Sequence, residues 1–200
     1  MAVALSELHL RCNPFGELLP EERARVAVGD FEGLARVLAQ PGTAIQLRGD
    51  CGRGKSSHLF GLRRALPTAQ YARVDHGDGP SRGGIYLMDE ADHFGVLRRW
   101  WYLRRATSVA VATHACMAGF LRRCGYRVVD VPVGAASPER VLAMAERRIA
   151  LAWTGEGEPI RVSPAHAEAL VQAHGDDLRA IEDALYDWVT QGAPSAEEDA

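Results

Sequence analysis

The chain has 200 residues, 47% of them apolar and 24% charged, with a formal net charge of −3. That suits one domain, or a core domain with a small satellite, and excludes a dedicated cationic coat for nucleic acid. No apolar run approaches the roughly 20 residues of a membrane span, and the N-terminus lacks a signal-peptide pattern. Cys12, Cys51, Cys116 and Cys124 show no disulfide or zinc spacing, so a reduced, cytoplasmic protein is expected. Of 23 basic residues, the only lysine is Lys55. A lysine that persists in an arginine-dominated chain marks a place where a compact ammonium is needed and a guanidinium fork does not fit.

In chain order, residues 1–20 read as a lead-in punctuated by Asn13-Pro14-Phe15-Gly16. Two short helical patterns follow, broken near Gly29-Asp30 and stopped at Pro41-Gly42. A β-run at 43–49 precedes a helix from Lys55 to about Ala65. Strands are predicted at 69–75 and 84–90, then an arginine- and aromatic-rich helix over 94–105. A buried strand at 108–114, a helix near 115–123 and a strand at 126–133 complete the first part. Strands alternating with helices predict a parallel α/β sheet. After Val133 the β-signals stop and three helices are expected, at 137–153, 163–175 and 176–189. The first two open with Ser-Pro, serine as N-cap and proline at the first helical position. The expected division is a core at 1–134 (with 1–41 as lead-in and helices), a helical domain at 135–191 and an acidic tail at 192–200.

Residues 49–56, GDCGRGKS, fit G-x-x-x-x-G-K-[ST] without mismatch, after a strand and before a helix. Gly49, Gly52 and Gly54 let backbone N–H groups turn inward on an anion. Asp50, Cys51 and Arg53 complete the loop, and Ser57 follows it. The helix then offers its positive end to the same phosphates. Lys55 is expected on the β- and γ-phosphates of ATP, and Ser56 on Mg2+. Four apolar residues, Ile85 to Met88, lead into Asp89-Glu90. At a strand's C-terminal end, Asp89 would hold Mg2+ and Glu90 would polarise the attacking water. Asp92 and His93 read as a solvated helix start.

With both motifs in place, the chain resembles a small AAA+ ATPase, nearest in character to the origin-recognition and transposition-type ATPases. The resemblance spans nearly the whole length. It implies a P-loop α/β/α core with a parallel sheet and a small all-α C-terminal lid. It also implies roles for four further positions. Asn13-Pro14-Phe15 would lie along the adenine. Thr113, or alternatively His114, would be sensor 1. Arg122 or Arg123 would be a finger supplied to a neighbouring subunit. Arg179, in GDDLR, would be the lid arginine of sensor 2. Guanidinium groups stabilise charge that builds on phosphate oxygens during transfer, one in cis and one in trans. The implied activity is ATP hydrolysis by a homo-oligomer, ring or filament, switching or loading on DNA or a partner protein. A nucleotide-gated adaptor with little turnover and a P-loop kinase are the rivals.

The tetrad Asp89-Glu90-Ala91-Asp92 also spells the signature of an RNA helicase family, but such a helicase needs a second domain of about 100–200 residues. One departure from the AAA+ pattern stands between Asp75 and Gly84. Eight residues are short for a parallel crossover, so the 69–75 strand crosses in extended form, pairs otherwise, or is no strand. The stretch LRRWWYLRR at 97–105 mixes phosphate-binding and base-stacking side chains. On a helix its consecutive aromatics point apart, so one tryptophan is expected on the sheet and the other at a subunit contact.

Overall fold

The computed structural model describes residues 4–73, 83–134 and 136–192. The chain divides into two compact units, Gly29–Gly134 and a second made of residues 1–28 with 135–200. The lead-in therefore groups with the C-terminal helices, where the sequence placed it with the core.

The first unit is built on a five-stranded parallel sheet of β1 (Thr43–Arg48), β2 (Gln70–Ala72), β3 (Ile85–Met88), β4 (Ser108–Thr113) and β5 (Arg127–Pro132), in the order β2-β3-β4-β1-β5. β2 pairs parallel to β3, Ala72 opposite Met88, which settles the strand left open at 69–75. Residues 74–82 of the short connection lie outside the described residues. The central strands β1 and β4 are buried on both faces, and their side chains alternate between two cores. Ile45, Leu47, Leu87, Ala110 and Ala112 face α2 (Phe31–Leu38) and α3 (Lys55–Ala65). Ala44, Tyr86, Met88, Val109 and Val111 face α4 (Val96–Leu103) and α5 (Ala118–Arg123). The result is the three-layer α/β/α core expected from the strand–helix alternation.

Fully buried Gln46 is satisfied within the second core: its Nε2 donates to Asp130 Oδ1 at 2.9 Å, and its Oε1 accepts from Met117 N at 2.6 Å. It thereby anchors the entry to α5, which starts at Ala118 and later than the 115 expected.

The tryptophan expected on the sheet is not there. α4 holds the sheet with Tyr102 and Leu103, 1% and 2% exposed, while Trp100 and Trp101 remain 45% and 39% exposed. Tyr102 meets Phe94 edge-on with centroids 5.4 Å apart, and Tyr86 at 6.4 Å. The helix begins at Val96, after a 3-10 turn at Ala91–His93, and that phase turns both indoles outward.

The second unit holds α1 (Pro20–Val26), α6 (Pro138–Ala152), α7 (Pro164–His174) and α8 (Leu178–Thr190). Ser137 and Ser163 cap α6 and α7 as predicted, each accepting from the N–H three residues on. Val141, Ile149, Ala167, Ile181, Leu185 and Val189 form its core with Leu10 and Phe15 from the lead-in. Arg148 of α6 is 5% exposed. It donates to the carbonyls of Pro14 and Gly16, at 2.7 and 2.6 Å, and pairs with Glu182 at 2.9 Å. Burial lowers its pKa, and Glu182 works against that shift. Among the described residues no helix is long and apolar enough to cross a membrane.

Candidate nucleotide site

The loop between β1 and α3 owes its path to three glycines. A side chain at Gly49 would meet the Val133 carbonyl oxygen at 2.4 Å, and Gly52 and Gly54 have φ of 78° and 85°. Gly54 opens α3 without any side-chain cap, and the helix's first turn carries no acid. Its leading N–H groups are thus left to an external anion. Arg53 pairs with Asp50 at 2.9 Å within the loop.

Lys55 is buried, 8% exposed. Its ammonium folds back to donate to the carbonyls of Gly49 and Asp50 at 2.8 and 2.7 Å, which leaves one of its three N–H donors for a ligand. Desolvation lowers its pKa; the fields of Cys51, Asp89, Asp92 and Asp50 oppose the shift. Asp89, at the end of β3, and Asp92, in the turn after it, thus act on the loop lysine. Ser56 and Ser57 follow in the first turn of α3.

Asp89 is 4% exposed. Tyr71 Oη donates to its Oδ2 at 2.7 Å, and Glu90 N to its Oδ1 at 3.1 Å. Burial and then the neighbouring Asp89 push the Tyr71 hydroxyl well above its usual pKa, so it remains a donor. A buried carboxylate with the Ser56 hydroxyl is a hard oxygen donor set, the kind Mg2+ takes with its waters and substrate phosphates. Among the described residues no cluster of three or more His, Cys, Asp or Glu could hold a metal on its own.

Glu90 sits in the left-handed region, φ 51° and ψ 45°. A glutamate gains nothing sterically there, and such strain, of order 1–3 kcal/mol, gathers at functional sites. Its Oε1 faces Arg73 at 3.6 Å, and its Oε2 faces His93 Nδ1 at 3.7 Å.

Asp92 departs from the solvated helix start expected of it. It is half-buried in the 3-10 turn, its Oδ2 accepts from His114 N at 3.2 Å, and its Oδ1 is buried without a hydrogen-bond partner. Thr113 is fully buried and donates its hydroxyl to the Ala115 carbonyl at 2.8 Å. His114 is exposed; its Nε2 lies 3.9 Å from Cys51 Sγ, and its ring stacks on His93 at 6.3 Å. Tyr71 and Arg73 escaped the sequence reading. Only the pairing of β2 with β3 sets "YAR" beside "MDE".

Arg122 and Arg123 are exposed at the end of α5. Arg179 is exposed in the first turn of α8, where Asp177 caps its backbone N–H. Asn13 is tied into the helical unit: its Nδ2 donates to the Tyr186 carbonyl at 3.0 Å and to Thr190 Oγ1 at 3.3 Å, and its Oδ1 accepts from Phe15 N. Pro14 is buried beside it, and Phe15 lies in that unit's core under Arg148. These bonds hold the segment within the helical unit.

No family model matches the chain, and no curated protein matches it. Solved structures do. One is the RuvB Holliday junction branch migration motor of Thermotoga maritima, at 15% identity and TM-score 0.52, covering 86% of this chain and 62% of that one. Another is domain III of the Thermotoga maritima replication initiation protein DnaA, at 14% identity and TM-score 0.51, covering 92% and 95%. A third is NtrX from Brucella abortus in complex with ADP, at 15% identity and TM-score 0.53, covering 87% and 55%. The chain thus spans less than two thirds of the RuvB and NtrX chains it matches. Phosphate loop, carboxylate pair, strand order and these likenesses agree that the chain resembles the AAA+ P-loop ATPases and has their fold.

Proposed function

We propose that the chain binds ATP with Mg2+, hydrolyses it, and works as an oligomeric nucleotide-dependent switch or loader on DNA or a partner protein. The observation that carries this reading is Lys55, the only lysine, buried in the loop and within the fields of Asp89 and Asp92. Lys55 and the N–H groups opening α3 bind the phosphates. Ser56 and Asp89 would hold Mg2+, which when bound screens phosphate charge. Glu90 accepts a proton from the attacking water. Of the two sensor candidates, His114 is favoured, since the Thr113 hydroxyl is committed to Ala115. Arg179 in cis and Arg122 or Arg123 in trans stabilise charge on the transferring group.

The test is ATP binding and phosphate release. Wild type should bind ATP and release phosphate over many turnovers, and Lys55→Ala should bind at least about 100-fold more weakly. Equal affinity in the two proteins sinks the reading. The adaptor reading has its own support in the contacts of Glu90 with Arg73 and His93, which restrain the base. If restraint limits turnover, Arg73→Ala should speed basal hydrolysis. An adaptor that never turns over would stay silent in both forms.

A further inference from the structure

α4 turns an unusual face outward. Val96 and Leu97 are 65% and 83% exposed, and Trp100 and Trp101 lie one helical turn further on. Two neighbouring rows result, Val96-Trp100-Arg104 and Leu97-Trp101-Arg105, each spaced i, i+4. The Arg104 guanidinium lies 4.8 Å from the Trp100 ring centroid, and Arg105 lies 4.5 Å from that of Trp101. Tyr102 and Leu103 already fasten the helix to the sheet, so the indoles are not needed for the core. The stretch of chain that carries this face is cationic. Residues 93–129 hold seven arginines and neither aspartate nor glutamate, in a chain whose net charge is −3. α5 brings Arg122 and Arg123 to the same end of this layer. Tyr126, just past α5, donates to the carbonyls of Leu103 and Ala106 at 2.5 and 3.0 Å, and the field of Arg104 reaches Cys124.

We propose that this face of α4 binds single-stranded nucleic acid, with bases on Trp100 and Trp101 and backbone phosphates on Arg104, Arg105 and the arginines closing α5. Charge complementarity selects a polyanion, because the stretch that carries these guanidinium groups, residues 93–129, contains no carboxylate side chain of its own. The paired indoles select unpaired bases among polyanions: each base has a π-face to stack, and a duplex hides its own. A guanidinium layered on an indole keeps its N–H edge for phosphate oxygens. An acidic protein helix would satisfy the charges, but it would have to bury indoles that stand on a convex helix surface. The proposal deepens the proposed function by naming the partner, and it needs no nucleotide, so the two can fail separately.

The test is fluorescence anisotropy of a labelled thymidine oligomer of about 20 nucleotides with the full chain, repeated with a duplex of the same length. Binding to the single strand should quench tryptophan emission, exceed binding to the duplex, and weaken steeply with salt. Trp100→Ala with Trp101→Ala should weaken it about tenfold or more at an unchanged melting temperature. Arg104→Gln with Arg105→Gln should flatten the salt dependence by about one to two counterions. Lys55→Ala, which should lose ATP, should bind the oligomer as wild type does. Retained affinity in the tryptophan variant overturns the proposal. So does an absence of oligomer binding, with the tryptophan variant altering self-association or the capture of poly-glutamate instead; that outcome gives the face to a second copy or to an acidic protein.

Discussion

Lys55 and Glu90 illustrate what a site costs its own residues. Burial lowers the lysine's pKa, and phosphate is held by the protonated form. ATP affinity should therefore be full below the folded-state pKa and fall as pH rises through it, at lower alkalinity than an exposed lysine would require. Deprotonation also lifts the desolvation penalty, so the residue's contribution to fold stability should improve over that same window while binding declines. Calorimetric ATP affinities through the alkaline range check this, and a flat profile would contradict it. Glu90 pays in backbone conformation, with φ at 51°. Glu90→Gly removes that strain of about 1 kcal/mol or more and adds unfolded-state entropy of similar size. Its melting temperature should hold or rise while hydrolysis falls by about 100-fold. A clear loss of stability would show that the glutamate's contacts outweigh its strain.

At the scale of elements, the helices divide into those that sequence describes well and one that it does not. α6 and α7 were legible because Ser-Pro openings declare a helix start through local bonding alone. Their packing was not, and Arg148 is the example: among the arginines of the described residues it alone is buried, as a clamp on the Pro14 and Gly16 carbonyls. Arg148→Ala strands those carbonyls and Glu182, and should cost about 3–5 kcal/mol in denaturant unfolding. Replacing Arg148 and Glu182 together with leucine should cost less, because no unpaired charge is left behind. α4 is the opposite case. Its composition announced an active surface, but which aromatics face inward depends on where the helix starts, and the 3-10 turn ahead of it shifts that start to Val96.

For the whole molecule, the proposed reading makes hydrolysis depend on assembly, since one arginine would come from a neighbour. Arg122 and Arg123 are free of any core role, lying exposed at the end of a short helix, so an Arg122→Ala, Arg123→Ala variant should fold normally and lose most hydrolysis. Mixed with Glu90→Gln, which keeps its arginines, it should regain part of that loss, because each mixed contact joins an intact base to an intact finger. No recovery at any mixing ratio, in phosphate-release assays at matched total protein, would exclude a finger in trans.

Sequence alone determined the phosphate loop, the carboxylates at the end of β3, the parallel α/β class and the helical C-terminal part. Each is written in local spacing: glycines before the lysine, an apolar run before acids, serine and proline before a helix. Tertiary structure alone decided the order of the strands, with β4 between β1 and β3, since pairing joins residues far apart in the chain. That order, and β2 beside β3, brings Tyr71 and Arg73 to Asp89 and Glu90. It also decided that Asn13, Pro14 and Phe15 are held in the helical unit, because the bonds that hold them come from Tyr186, Thr190 and Arg148, more than a hundred residues away. Local chemistry names the parts of a site; only long-range packing chooses their neighbours.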